Sequence, residues 1–342
     1  LLMDRFGPRK LMTTALFVCA AASVAMASSH ALLAASVSRL VIGATVAFAF
    51  VGTLTILTRW FAPDRFSVYA GILQSSGMVG AMLGQAPLRL AVESVGWRGA
   101  VYLMGAIALL LAVAVFVVVP RSKNTATTAV AESRSSAVKD VFRGKKNWLC
   151  VLVGFGLAAP MLGFAALWAV PWLSAVRGFS QTQAAGIASM VFMGWLVMAP
   201  VVGWTSDWLG KRTLVLLTGS VISLGGFLLI LFVPVKSAWL SGMLFFLQGA
   251  GGCVMVICFT LMRQYNPGGN TSASLGLLNT FVVGSGALMQ PLIGVVLDSR
   301  WSGVEVNGAR MYDAGSYHLA FLLLVAANAV AVVACCFLKD SD

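Results

Sequence analysis

Long apolar segments alternate with short polar connections along nearly the whole chain. Each segment reaches roughly the 20 residues that a helix needs to cross a bilayer, and Gly and Pro recur inside them, as is typical of transmembrane helices. Residues Leu1–Met3 have the character of the last turn of a further segment. The pattern predicts ten full membrane-spanning helices: Leu11–Ser28, Ala31–Thr58, Phe66–Ser94, Gly99–Val119, Trp148–Ser174, Gln183–Thr205, Thr213–Val233, Ala238–Met262, Ala273–Leu297 and Gly315–Leu338.

The composition indicates that the chain lies in a lipid bilayer. Of its 342 residues, 59% are hydrophobic and only 10% are charged. A soluble fold cannot bury that much apolar surface, so we expect an all-α integral membrane protein with lipid as its surroundings. The net charge of +12 does not indicate a nucleic-acid partner, because the basic residues lie in short loops between apolar segments.

The basic residues also predict the topology. With Asp4–Lys10 placed in the cytoplasm and sides alternating from there, sixteen Lys and Arg fall on the cytoplasmic side and five on the other. The linker 120–147, rich in Ser, Thr and basic residues, and the C-terminus are then cytoplasmic. We expect an N-terminal bundle at 1–119, this linker, and a six-helix bundle at 148–342.

Two cytoplasmic loops repeat one pattern. Their equivalent residues are separated by a constant 203 positions and pair as Asp4 with Asp207, Gly7 with Gly210 and Arg9 with Arg212. Two six-span halves, each with this loop after its second span, explain the offset. We therefore expect ten full spans of a twelve-span protein whose first span and most of whose second are missing here.

The loops "MDRFGPRK" and "GWTSDWLGKR" resemble the loop signature of the major facilitator superfamily, Gly-x-x-x-Asp-Arg-x-Gly-Arg-Lys/Arg. Pro8 occupies an Arg position of that signature. "RLVIG", with Arg39, resembles the family's span-four signature, and "GMVGAMLGQ" resembles its glycine-rich span-five signature, with Ala81 where antiporters carry Pro. "MQPLIGVVLD" is similar to a bacterial branch of organic-solute permeases.

The resemblance implies a two-bundle helical fold and an alternating-access transporter. It suggests a conformational latch in the two loops, against the alternative of ordinary solvated loop charges. The latch residues are Asp4, Arg5, Gly7, Arg9, Gly203, Asp207, Gly210 and Arg212.

Several residues inside the apolar segments are candidates for contact with solute or for ion coupling. Arg39 lies about two turns inside its segment, where a charge faces a cavity or snorkels outward. The others are polar or aromatic groups that either line the pathway or hydrogen-bond between helices: Gln74, Trp168, Gln248, Asn279 and Gln290. A glycine face at Gly77, Gly80 and Gly84 predicts close helix packing.

The predicted function is secondary transport of a small polar organic solute, namely an organic anion, amino acid, nucleoside or sugar phosphate. We expect a monomeric symporter in a bacterial inner membrane with H⁺ as coupling ion. There is no catalytic constellation, cofactor motif or metal-ligand spacing, so no enzyme is predicted. Two alternatives stay open: a solute receptor that signals through a partner, and an inactive truncated permease.

Overall fold

The computed structural model describes residues 7–60, 65–84, 86–119, 140–267, 271–306 and 309–340. Asp4 and Arg5 of the predicted latch and most of the predicted linker lie outside these ranges. The described part contains ten helices that are long and apolar enough to span a membrane. The predicted all-α membrane fold with ten spans is confirmed.

The first four spans are α1 (Pro8–Ser28), α2 (Leu32–Trp60), α3 (Phe66–Leu83) and α4 (Ala86–Val118). The sequence pattern predicted one segment over Phe66–Ser94, but the helix ends after Leu83 and a new one begins at Ala86. Proline at position 87 has no N–H to donate to the carbonyl of Leu83, and Gly84 adds backbone freedom. Within α4 the backbone leaves the helical region at Gly96, where φ is 74°.

The remaining six spans start from Lys145. The first comprises α5 (Lys145–Ala159), a π-helical segment (Pro160–Trp168) and α6 (Ala169–Arg177). Then follow α7 (Gln181–Leu209) and α8 (Arg212–Phe232). The next span comprises α9 (Ala238–Gly252), a 3₁₀ turn (Cys253–Met255) and α10 (Val256–Tyr265). The last two are α11 (Thr271–Ser299) and α12 (Ala314–Cys336), joined by a short hairpin of β1 (Glu305–Val306) and β2 (Ala309–Arg310).

Two spans are not regular α-helices throughout. The π-helical segment begins at Pro160, which cannot donate the backbone bond that would continue α5. The 3₁₀ turn follows the glycine-rich end of α9. Short π and 3₁₀ stretches within helices frequently mark functional sites or hinges. Both irregular stretches lie inside spans, where their free backbone groups need partners from neighbouring helices.

The chain divides into two compact units. The first comprises Leu1–Pro63 and Val79–Val138, and the second comprises Asp64–Met78 and Lys139–Asp342. Helix α3 is therefore shared, with its first thirteen residues in the second unit. The domain limits at 119 and 148 stay a prediction.

An aromatic cluster forms the centre of the second unit. Phe164 lies with its ring centroid 4.9 to 5.7 Å from four other aromatic rings. These rings belong to α6, α8, α9 and α12, so the π-helical segment is packed against four helices at once. Such offset and edge-to-face contacts stabilise a core beyond simple burial. The rings are Trp172, Phe227, Phe245 and Phe321.

Candidate functional site: the repeated loop and the polar groups within the spans

The second copy of the repeated loop forms a tight turn between α7 and α8. Helix α7 ends at Leu209, and Gly210 follows with φ 64°, the left-handed conformation that terminates many helices and that favours glycine. The turn brings Arg212, the first residue of α8, to Asp207. Their side chains make an ion pair of 3.2 Å, with Arg212 17% exposed and Asp207 12% exposed.

This ion pair uses only part of the hydrogen-bonding capacity of its two members. Oδ2 of Asp207 and Nε of Arg212 are buried without a hydrogen-bond partner among the described residues, and so is Oγ of the adjacent Ser206. A buried polar atom without a partner costs free energy. One bond therefore holds the pair, and its geometry depends on the backbone that presents each side chain.

The first copy of the loop has the equivalent glycine, but its arginine makes a different contact from that of the second copy. Gly7 precedes α1 with φ 79°, so both equivalent glycines occupy the region of positive φ. The guanidinium of Arg9 lies 4.4 Å above the ring of Phe116 near the end of α4. A cation above an aromatic face is attracted by it. The role of Asp4 and Arg5 as latch residues stays a prediction.

Helix α3 packs closely on α7 just before the second loop. Small residues at positions 67, 71 and 75 of α3 face 203, 199 and 196 of α7, so the helices run antiparallel here. A Cβ atom at Gly203 would lie 2.5 Å from the carbonyl oxygen of Ser67, and one at Gly71 would lie 2.5 Å from that of Ala199. We call this contact the α3–α7 seam.

Two hydroxyl hydrogen bonds fasten α3 within the second unit. Ser75 donates to the carbonyl of Leu196 at 2.7 Å, and the hydroxyls of Ser67 and Thr260 are 2.9 Å apart. The guanidinium of Arg263, at the end of α10, covers the ring of Phe66 at 4.5 Å. Thus α3 meets α10 as well as α7 through small, polar or capping contacts.

The sequence pattern placed the close packing of α3 at different glycines. A Cβ atom at Gly77 or Gly80 would meet no neighbouring helix within 4 Å in the described part of the chain. One at Gly84 would meet only carbonyl oxygens of its own helix. Their packing role stays a prediction, while the observed close approach involves Gly71. Its spacing from Ser67 and Ser75 is also four residues, so the same small-residue rule applies.

Trp168 and Gln290 are brought together by the structure. The indole N–H of Trp168, the last residue of the π-helical segment, donates to the carbonyl of Gln290 at 3.1 Å. The side-chain amide of Gln290 donates to the carbonyl of Leu162 at 2.8 Å. Gln290 therefore binds the π-helical segment near both of its ends. Both side chains are part-buried, so a surface of each remains open to a further contact.

Gln248 belongs to a different, fully buried network. Its amide donates to the hydroxyl of Ser223 at 3.3 Å, and Asn328 donates to the same hydroxyl at 3.0 Å. Gln248 is 1% exposed. The network ties α8, α9 and α12 together, and sequence reasoning did not identify Ser223 or Asn328. In this conformation Gln248 acts as an interhelical hydrogen-bond donor.

The three other candidates are separate from these groups. Gln74 is 8% exposed and precedes Ser75 of the α3–α7 seam. Asn279 is part-exposed on α11. Arg39 is exposed, in the second turn of α2 and in the first unit. The contact of all three with a solute stays a prediction.

A charged cluster orders the connection between α11 and α12. Asp298 accepts hydrogen bonds from Arg310 at 2.9 Å and from the hydroxyl of Tyr312 at 2.6 Å. Partial burial and then this bond raise the pKa of Tyr312. Hydrogen bonds from Ser316 lower the pKa of Asp313, which caps α12. These groups build a folded loop, and in the described residues no three His, Cys, Asp or Glu could hold a metal ion together.

The sequence profile described as the Major Facilitator Superfamily matches residues 1–291. A probable sulfoacetate transporter of Cupriavidus necator, SauU, is 23% identical over 98% of this chain and 79% of its own length. The Escherichia coli fucose:proton symporter FucP has a similar structure, with a TM-score of 0.70 and 15% identity over 99% of this chain and 86% of that one.

A second solved structure is similar over almost the same length. It is the human organic anion transporter MFSD10, with a TM-score of 0.67 and 16% identity over 96% of this chain and 78% of that one. At such identities the likeness shows the fold. Fold, loop signature and profile agree: the chain belongs to the Major Facilitator Superfamily, a family of membrane transporters and not of enzymes.

Proposed function

We propose that this protein is a secondary active transporter that moves a small organic anion across a bacterial inner membrane by alternating access, in symport with H⁺. The loop with Asp207 and Arg212 then faces the cytoplasm, as do the linker and the C-terminus. One observation carries the proposal: the α3–α7 seam, formed by small residues directly before an ion-paired loop.

The seam has the properties of a surface that closes and opens. It brings two backbones into contact at Gly71 and Gly203, and the hydroxyl of Ser75 donates a hydrogen bond across it. Separating it exposes little polar backbone, because each helix keeps its own hydrogen bonds. The ion pair at its end biases the equilibrium between the closed and the open state.

The choice of an organic anion rests on three supports. The SauU relative is described as a probable sulfoacetate transporter and MFSD10 as an organic anion transporter. Arg39 places an exposed guanidinium within a span, and guanidinium groups bind carboxylates and sulfonates through paired donors. The description of FucP as a proton symporter favours H⁺ as the coupling ion.

Transport by counterflow tests this function. The protein is reconstituted in proteoliposomes loaded with unlabelled sulfoacetate, and uptake of labelled sulfoacetate is followed against empty liposomes. Parallel vesicles hold an amino acid, a nucleoside or a sugar phosphate. We expect counterflow with sulfoacetate or another small sulfonate or carboxylate, and net uptake driven by an inward pH gradient. Counterflow with none of the four classes contradicts the proposal.

Saturable binding without counterflow favours the alternative of a solute receptor. Isothermal titration with the same compounds on purified protein distinguishes the two outcomes. A chain that neither binds nor exchanges any of them fits the alternative of an inactive permease.

A further inference from the structure

Helix α8 begins without a cap from its own neighbourhood. Its N-cap residue, Lys211, makes no side-chain cap hydrogen bond, and its first turn contains no acidic residue. The first turn of a helix has free N–H groups and a partial positive charge, which a carboxylate satisfies best. The need for a carboxylate is greater here because this turn also carries the positively charged Arg212 of the ion pair.

The missing carboxylate comes from the far end of the chain. Oδ1 of Asp340 accepts from the backbone N–H of Thr213 at 2.9 Å, and Oδ2 accepts from its hydroxyl at 2.8 Å. Both oxygens of one carboxylate thus hold a single residue of α8, the residue next to Arg212. Residues 337–340, which follow α12, form what we call the C-terminal strap.

A second contact fixes the strap from the opposite side. The hydroxyl of Tyr265, at the end of α10, donates to the carbonyl of Lys339 at 2.6 Å. The ammonium of Lys146, at the start of α5, lies 4.8 Å above the ring of Tyr265. The strap is therefore held between the start of α8 and the end of α10. Four spans of the second unit meet at this point.

The position of the strap links it to the loop and to the α3–α7 seam. Thr213 directly follows Arg212, whose single bond to Asp207 closes the turn. Tyr265 is two residues from Arg263, which covers Phe66 at the start of α3. All these contacts lie within the second unit.

We propose that Asp340 is a positioning residue: it caps α8 from the C-terminal strap, orients Arg212 toward Asp207, and so stabilises the closed seam. The inference rests on the proposed function, because it gives the ion pair a role in closure. The first unit offers a parallel: Arg9, the equivalent of Arg212, contacts Phe116 near the end of the last span of its own half, as Thr213 beside Arg212 contacts Asp340 after α12.

The test measures closure directly. Five of the six cysteines are buried and Cys336 is exposed, so Cys336→Ser gives a background of low labelling. Ser67→Cys then places one thiol in the α3–α7 seam. Its labelling by an impermeant maleimide is followed in inside-out vesicles. Asp340→Ala and the isosteric Asp340→Asn are compared with Lys339→Ala, which keeps the backbone carbonyl that Tyr265 uses.

We expect Asp340→Ala to raise the labelling rate about fivefold, which corresponds to the loss of one helix cap of ~1 kcal/mol, and Asp340→Asn to raise it less, because the amide keeps an oxygen for the N–H of Thr213 but loses the negative charge. Lys339→Ala leaves the rate unchanged. Folding is checked by size-exclusion chromatography, and Asp340→Asn preserves the shape of the side chain if Asp340→Ala yields too little protein. An unchanged rate in Asp340→Ala, or in Asp340→Asn where Asp340→Ala yields too little protein, overturns the inference.

A double-mutant cycle separates positioning from general stabilisation. If Asp340 acts through the ion pair, Asp340→Ala adds no further labelling in an Asp207→Asn background, because the pair is already broken. If Asp340→Ala raises the labelling rate by a further fivefold in that background, the strap stabilises the fold independently of the ion pair, and the inference is overturned.

Counterflow of solute by the unmodified protein is the independent readout. A labelling effect in a protein without counterflow leaves the positioning role standing and contradicts the transport proposal. Counterflow without a labelling effect contradicts the positioning role alone.

Discussion

Gly203 shows how little room a single residue leaves between two helices. A methyl group there would lie 2.5 Å from the carbonyl oxygen of Ser67, inside the contact distance of any real carbon atom. Both groups belong to helix backbones, so neither can turn away as a flexible side chain could. The same helix contains Gly186, where a methyl group would meet no atom within 4 Å in the described part of the chain.

We therefore expect Gly203→Ala to hold the seam open. Overpacking of this kind costs typically 1–3 kcal/mol, and it affects only the state in which α3 and α7 touch. Labelling of the Ser67→Cys thiol is predicted to rise and counterflow to fall. Gly186→Ala is the matched control and should leave both unchanged. Equal effects of the two substitutions would show that the loss of glycine, and not the contact, matters.

Arg39 supports a second prediction at the same scale. Arg39→Lys is expected to keep the fold and reduce uptake, and Arg39→Ala to nearly abolish it. A guanidinium presents five donors in a fixed fork that suits an anionic solute, whereas lysine keeps only the charge. The measurement is the initial uptake rate per amount of folded protein. Equal rates for arginine and lysine would indicate that the side chain only snorkels to the interface.

At the scale of the element, the π-helical segment is the longer of the two described stretches that depart from regular α-helix within the spans. Its wider turns change the hydrogen-bond register, so carbonyl groups within it need other donors. Gln290 of α11 supplies one to Leu162 and receives the indole N–H of Trp168 on its own carbonyl. Two hydrogen bonds therefore join the segment to α11.

Replacing Gln290 by leucine tests this coupling. The variant keeps side-chain volume but removes the donor to Leu162, and interhelical hydrogen bonds in membranes contribute roughly 0.6–2 kcal/mol. We expect a lower midpoint of thermal unfolding in detergent. Thr280→Val is the control on the same helix, because its hydroxyl donates to the carbonyl of Gly276 within that helix. If Thr280→Val lowers the unfolding midpoint by the same amount, the hydrogen bond from Gln290 to Leu162 is not what stabilises the two helices against each other.

Hydropathy predicts where the spans lie, but it does not predict which side chains meet between them. Hydropathy located all ten spans, since lipid exposure requires long apolar runs, and the turn at Gly210 followed from the repeated loop. The partners of Gln248 were not predictable. In a helix that is apolar on all sides, periodicity does not reveal which face meets α8 and α12, so Ser223 and Asn328 carried no visible signal. The seam glycine Gly71 was missed because Gly77, Gly80 and Gly84 showed the same spacing.

At the scale of the whole molecule, the chain repeats one plan. The two loops share a glycine with positive φ, followed two residues later by an arginine. Arg9 contacts Phe116 near the end of the last span of its half, and Thr213, beside Arg212, contacts Asp340 in the C-terminal strap that follows the last span of the other half.

This repetition also requires both loops to lie on one side of the membrane, which leads to the last prediction. Six of the described spans separate the loops, an even number, and the asymmetry of basic residues predicts that both loops lie in the cytoplasm. Ser122→Cys in the linker and Ser302→Cys between α11 and α12 are made in the Cys336→Ser background. An impermeant maleimide added to intact cells should label Ser302→Cys and miss Ser122→Cys. Inside-out vesicles should give the reverse. Labelling of Ser122→Cys in intact cells would invert the topology, and with it the side on which the α3–α7 seam closes.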